Sequence, residues 1–63
     1  MKITKLKGLE GYKISSGDFS IWFDSVDIDN ELELTTLYRN GGLVCNLWHK
    51  TAIEFNNLWE DIK

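Results

Sequence analysis

ELELTTLYR-NGG-LVCNLWH, running from Glu31 to His49, is two alternating runs joined by Asn40-Gly41-Gly42. Asn-Gly between such runs is a strong hairpin signal, because both central positions of a type I′ turn need a positive φ that these residues tolerate. With Asn40-Gly41 as the loop, Arg39 faces Gly42, and Tyr38 meets Leu43. The same register sets Thr36 against Cys45 and Leu34 against Leu47 on one face. It sets Leu37 against Val44 and Glu33 against Trp48 on the other.

The chain around this hairpin is short, at 63 residues. A domain of this size buries only about 60% of its unfolded surface, so it needs a dense core, a staple or a partner. A single cysteine, Cys45, makes no internal disulfide, and a single histidine, His49, leaves no recognisable zinc set. Three Trp, three Phe and two Tyr supply aromatic mass for a core or an interface. No cofactor motif is legible. No apolar run has the length of a membrane span and no signal peptide opens the chain, so the expectation is a cytoplasmic protein with no membrane contact.

Upstream of the hairpin, Tyr12 and Ile14 alternate with polar residues, Ser16-Gly17 offers a turn, and Phe19, Ile21 and Phe23 resume the alternation. A Ser16-Gly17 loop pairs Ile14 with Phe19 and Tyr12 with Ile21. Asp27-Ile28-Asp29-Asn30 is rich in turn formers and is the expected next connection. As a four-residue loop it would set Phe23 against Leu34, Ile21 against Thr36 and Phe19 against Tyr38; a two-residue Asp29-Asn30 loop would shift the register but keep the same faces. Downstream, Thr51-Ala52-Ile53-Glu54 is a capping-box pattern. Ala52, Phe55, Leu58, Trp59 and Ile62 then share one helical stripe.

The expectation is one α+β domain over residues 1–63. It comprises an antiparallel four-stranded meander (strands near 12–15, 18–26, 31–39 and 42–48) packed on one C-terminal helix near 52–62. Residues 1–9 form an edge strand or extended arm. The helix covers a face made by Phe19, Ile21, Phe23, Leu34, Leu43 and Leu47. The opposite face then carries Trp22, Leu37, Val44 and Trp48, an apolar patch that a monomer rarely leaves bare. Either the N-terminal arm crosses it through Ile3, Leu6 and Leu9, or it is a partner or self-association surface, in which case a homodimer or higher oligomer is expected.

Chemistry-bearing residues are sparse. Cys45 and His49 have the parity of a nucleophile and a base, but no orienting third group accompanies them. The acidic segment after Asp27 fails the calcium-loop pattern, with Leu32 and Tyr38 where Gly and Glu are required. No catalytic constellation is therefore expected. Charge is more informative. Residues 1–13 carry a net +3 and residues 14–38 a net −6, within an overall −3. Asp27, Asp29, Glu31 and Glu33 recur every second residue, a spacing that would project them along one side of an extended segment. With Asp24 they form a candidate docking surface for a basic partner, imitating backbone phosphates. Direct nucleic-acid binding through Trp22, Trp48 and Tyr38 is the weaker alternative, because aromatic platforms need a flanking basic groove.

In its size, its lack of a catalytic constellation and its Asp18–Glu33 acidic stretch, the chain resembles the small acidic inhibitors of phages and mobile elements, such as anti-CRISPR proteins and glycosylase inhibitors. That resemblance implies a non-catalytic inhibitor blocking a basic, nucleic-acid-binding surface of a target protein, in a host cytoplasm. Asp24, Asp27, Asp29, Glu31 and Glu33 would supply charge, and Trp22, Leu37, Val44 and Trp48 an apolar contact. A small homo-oligomeric accessory subunit is the rival expectation.

Overall fold

The computed structural model describes residues 1–62. Their order is β1 (Lys2–Lys5), β2 (Tyr12–Ser16), β3 (Phe19–Phe23), β4 (Ser25–Asp29), β5 (Leu34–Arg39), β6 (Gly42–Trp48) and α1 (His49–Ile62). The fold is α+β, but the four-stranded meander gives way to two three-stranded antiparallel sheets, β1-β2-β3 and β4-β5-β6.

The expected strand over 18–26 is broken at Asp24, and the apolar pattern explains why. Phe19, Ile21 and Phe23 occupy odd positions, whereas Val26 and Ile28 occupy even ones. One continuous strand would send these two sets to opposite faces. The break lets both sets face the core side, where Phe23 is buried and Ile21 and Val26 pack against it, while Phe19, expected under the helix, and Ile28 stay exposed toward the strand ends. Asp24 secures the corner with two bonds. Its N–H donates to the Tyr38 carbonyl at 2.8 Å, and its Oδ2 accepts from the Asn40 N–H at 2.9 Å.

Within the first sheet, β1 is an edge strand and places Ile3 opposite Ile14. Leu9, expected with Ile3 on a covering arm, is exposed. The β2–β3 turn centres on Gly17-Asp18 instead of Ser16-Gly17, so Ile14 pairs with Ile21 and Tyr12 with Phe23. Gly17 alone carries the positive φ, 60°, as a type II′ turn requires. The shift is two residues, so every side chain keeps its expected face.

In the second sheet, Asp27 and Ile28 are strand residues and not a turn. Asp29 pairs with Leu34, and Asn30 to Glu33 form the loop. Asp29 Oδ1 closes that loop by accepting from the N–H groups of Glu31 (3.0 Å) and Leu32 (3.1 Å). The β5–β6 turn is as expected. Asn40 and Gly41 have φ of 53° and 80°, and Arg39 and Tyr38 meet Gly42 and Leu43. Beyond Tyr38 the register slips, with Leu37 opposite Cys45, Thr36 opposite Asn46 and Leu34 opposite Trp48. Val44 is the extra residue of a β-bulge. Leu37 thereby joins Leu47 in the core, while Leu43 is exposed and Leu34 turns to the outer face; the structure reverses the expected faces of Leu37, Leu43 and Leu34.

The helix begins at His49, before the expected capping box, so Thr51 lies within its first turn. The corner is made by His49 itself, at φ 53°, whose N–H donates to the Glu33 carbonyl at 2.8 Å. Its stripe is the expected one, with Ala52 and Phe55 buried and Leu58, Trp59 and Ile62 packed alongside. It lies over inner faces from both sheets, where Ile3, Ile14 and Phe23 meet Leu37 and Leu47. Rings knit the first sheet to the helix. Phe23 lies 5.7 Å from each of Tyr12, Phe55 and Trp59, and Tyr12 stands edge-on to Trp59 at 4.8 Å. Each such pair contributes about 0.5–1.5 kcal/mol beyond its buried area.

Candidate functional site

Strand alternation assigns the outer face of the second sheet. Three cross-strand rows lie there: Ser25–Tyr38–Leu43, Asp27–Thr36–Asn46 and Asp29–Leu34–Trp48. Thr36 is buried at the centre and donates to Asn46 Oδ1 at 2.9 Å. Exposed Leu43 and Trp48 (62% and 50%) flank it on β6. Asp27 and Asp29 line the opposite margin on β4, an edge strand that pairs with β5 alone.

The five expected acidic residues do not form one row. Asp27 and Asp29 share a face, but the strand ends there and Glu31 and Glu33 belong to the loop. Three of the five also serve the fold. Asp24 holds the Asn40 N–H, and Asp29 caps the loop. Glu33 adopts φ 52° and places Oε1 3.5 Å from His49 Nδ1, with both side chains exposed. The side-chain carboxylates of Asp27 and Glu31 make no hydrogen bond or ion pair among the described residues, and they carry charge that the fold does not use.

The expected apolar patch does not assemble. Leu37 is in the core, and Val44 sits at the bulge with 36% exposure. Trp22 and Trp48 lie on different sheets. Trp22 sits beside Arg39 at the hairpin tip, whereas Trp48 faces Leu34 at its base, about 16 Å away along β5.

Around Trp22 the structure gathers residues that sequence reasoning kept apart. Lys13 is its cross-strand partner, and Thr4 is the partner of Lys13. Lys2, Ser15 and Ser20 form the adjoining row of the same outer face. The Arg39 guanidinium carbon lies 4.9 Å from the Trp22 ring centroid, a contact worth about 0.5–1 kcal/mol at an exposed site. Gly11, at φ 127°, lets the loop close in, since a Cβ there would stand 2.8 Å from the Phe23 carbonyl oxygen and 3.2 Å from Trp22 Nε1. The signal for this grouping was the pairing of the lysine-bearing N-terminus with the Tyr12 strand.

Cys45 and His49 take separate paths. Cys45 is partly buried on the inner side of β6, where burial pushes its thiol above the ordinary value, and Sγ contacts the Asn46 carbonyl oxygen at 3.6 Å. His49 turns instead to Glu33. Among the described residues no group of three or more His, Cys, Asp or Glu is placed to hold a metal ion. No helix among them is long and apolar enough to cross a membrane. Comparisons with protein-family models, curated proteins and solved structures find no match for this chain.

Proposed function

We propose that this chain is a non-catalytic protein-binding module that docks its β4 margin on a basic surface of a target protein, blocking a site otherwise used by nucleic acid. The observation that carries this reading is the repeat of Asp27 and Asp29 on one face of an edge strand, with Glu31 just beyond. Asp29 shares its row with exposed Trp48. Carboxylates at this spacing steer a basic partner, and a tryptophan at the end of the row supplies desolvated contact area. Leu43 and Trp48 also favour a second reading, self-association through the same outer face.

The test uses a variant that removes charge and spares the fold. Asp27→Asn, Asp29→Asn and Glu31→Gln together delete three negative charges, and an asparagine at 29 still offers an amide oxygen to cap the loop. Host lysate is passed over wild type and variant at low and high salt. The expected result is capture of a nucleic-acid-binding protein by the wild type alone, lost as salt rises, whose nucleic-acid binding the wild type then inhibits in purified form. Recovery of that protein equally by the variant sinks the reading. Concentration-dependent, salt-insensitive self-association with no captured target supports the oligomer instead.

A further inference from the structure

We infer that the outer face of the first sheet is a binding surface for single-stranded nucleic acid, separate from the acidic margin of the second sheet. The two rows Lys2–Ser15–Ser20 and Thr4–Lys13–Trp22 contain two lysines, three hydroxyl side chains, one indole and no carboxylate. Arg39 adds a third cation, reaching across from the second sheet onto the Trp22 ring. Asp24 is the acid nearest in sequence to Trp22, and its Oδ2 accepts the Asn40 N–H. The overall charge of −3 conceals this face, because its acids lie mainly on β4 and in the loops.

Geometry then selects the ligand. Lys2 is diagonal to Lys13 across adjacent antiparallel strands, about 7–8 Å away, so the two ammonium groups can engage successive phosphates of one strand. Trp22 remains 39% exposed beside Lys13. Arg39 lies over the indole, and an unpaired base extends such a stack, since bases stack on aromatic rings and on guanidinium planes alike, whereas bases within a duplex are already stacked on one another. The three hydroxyls offer donors and acceptors to phosphate and sugar oxygens without imposing a sequence. A basic strip beside an aromatic side chain, absent from the linear pattern, is what the pairing of β1, β2 and β3 assembles.

The probe is a fluorescently labelled oligothymidylate, followed by anisotropy as the intact protein is added between about 50 and 200 mM salt. Two to three phosphate contacts give a slope of log K against log salt of about −1.4 to −2.1. Lys2→Gln with Lys13→Gln is expected to flatten that slope by about 1.4. Trp22→Ser is expected to weaken binding by about 5- to 150-fold at fixed salt, the range for loss of one stacked base. Circular dichroism checks that each variant is folded. The Asp27→Asn, Asp29→Asn, Glu31→Gln variant must leave the slope unchanged, which separates this surface from the protein-docking reading. Absence of binding at protein concentrations up to about 10⁻⁴ M at the low-salt end overturns the proposal. So does equal affinity for a duplex or for heparin, or binding that the lysine and tryptophan variants leave intact.

Discussion

Thr35 carries a hydroxyl with no access to water, and its proton goes to Asn56 Oδ1 at 2.7 Å. This bond ties the central strand of the second sheet to the helix. The two partners are not equivalent, because Thr35 is fully buried while Asn56 is only half-buried. Removing Asn56 strands a hydroxyl in the core, a loss of about 1–3 kcal/mol. Replacing Thr35 with valine keeps the shape and leaves an amide that can turn to solvent, so the loss is about 0.5–1.5 kcal/mol. Urea midpoints should therefore rank wild type above Thr35→Val, and Thr35→Val above Asn56→Ala. The reverse order of the two variants would mean that the hydroxyl has another partner. At this scale the sequence was poorly legible. It marks Thr35 as a polar strand residue and Asn56 as a helix residue, and nothing in either run says that they meet.

At the scale of elements, the β-bulge at Val44 sets which residues enter the core. Without it Leu37 would lie opposite Val44 and Leu47 opposite Leu34; with it Leu37 and Leu47 face inward together. Deleting Val44 should then be tolerated, because it removes the extra residue and leaves the Tyr38–Leu43 and Leu37–Cys45 pairs in one regular ladder. The expected loss lies within about 0.5–3 kcal/mol, the ordinary range for a single substitution. Deleting Thr36 instead shortens the strand shared by both ladders, and it should cost more than about 4–5 kcal/mol and abolish the folded circular dichroism signal. Equal tolerance of the two deletions would show that β5 and β6 slide freely and that the register has no such anchor. The hairpin tip was legible because Asn40-Gly41 imposes its own turn chemistry. The bulge was not, since β5 and β6 carry apolar residues at both parities and either register buries some of them. The break at Asp24 was written in the chain as the switch from Phe19, Ile21 and Phe23 to Val26 and Ile28, a parity change that one continuous strand cannot accommodate. The helical stripe was read correctly because five apolar positions agree on one face.

For the whole molecule, the covalent link between the two sheets is the single residue Asp24, and their packing converges on Phe23 and Phe55. The acidic run was visible in sequence, but the basic face was not, because its lysines and Trp22 come from three strands and only the sheet brings them together. Both surfaces depend on one small core. A chain of this length has a total stability of about 3–9 kcal/mol. Phe55 is fully buried and touches the Phe23 and Trp59 rings, so Phe55→Ala should cost about 3–5 kcal/mol. That loss approaches the whole stability of the fold and should not be confined to the helix. Amide hydrogen exchange at Ile14 in the first sheet and Leu37 in the second should accelerate by the same factor, since both residues pack in the core that contains Phe55. If Ile14 exchanged quickly while Leu37 kept its protection, the sheets would be independent units and Phe55 would belong to one of them. Equal acceleration at both positions is what a single cooperative core requires.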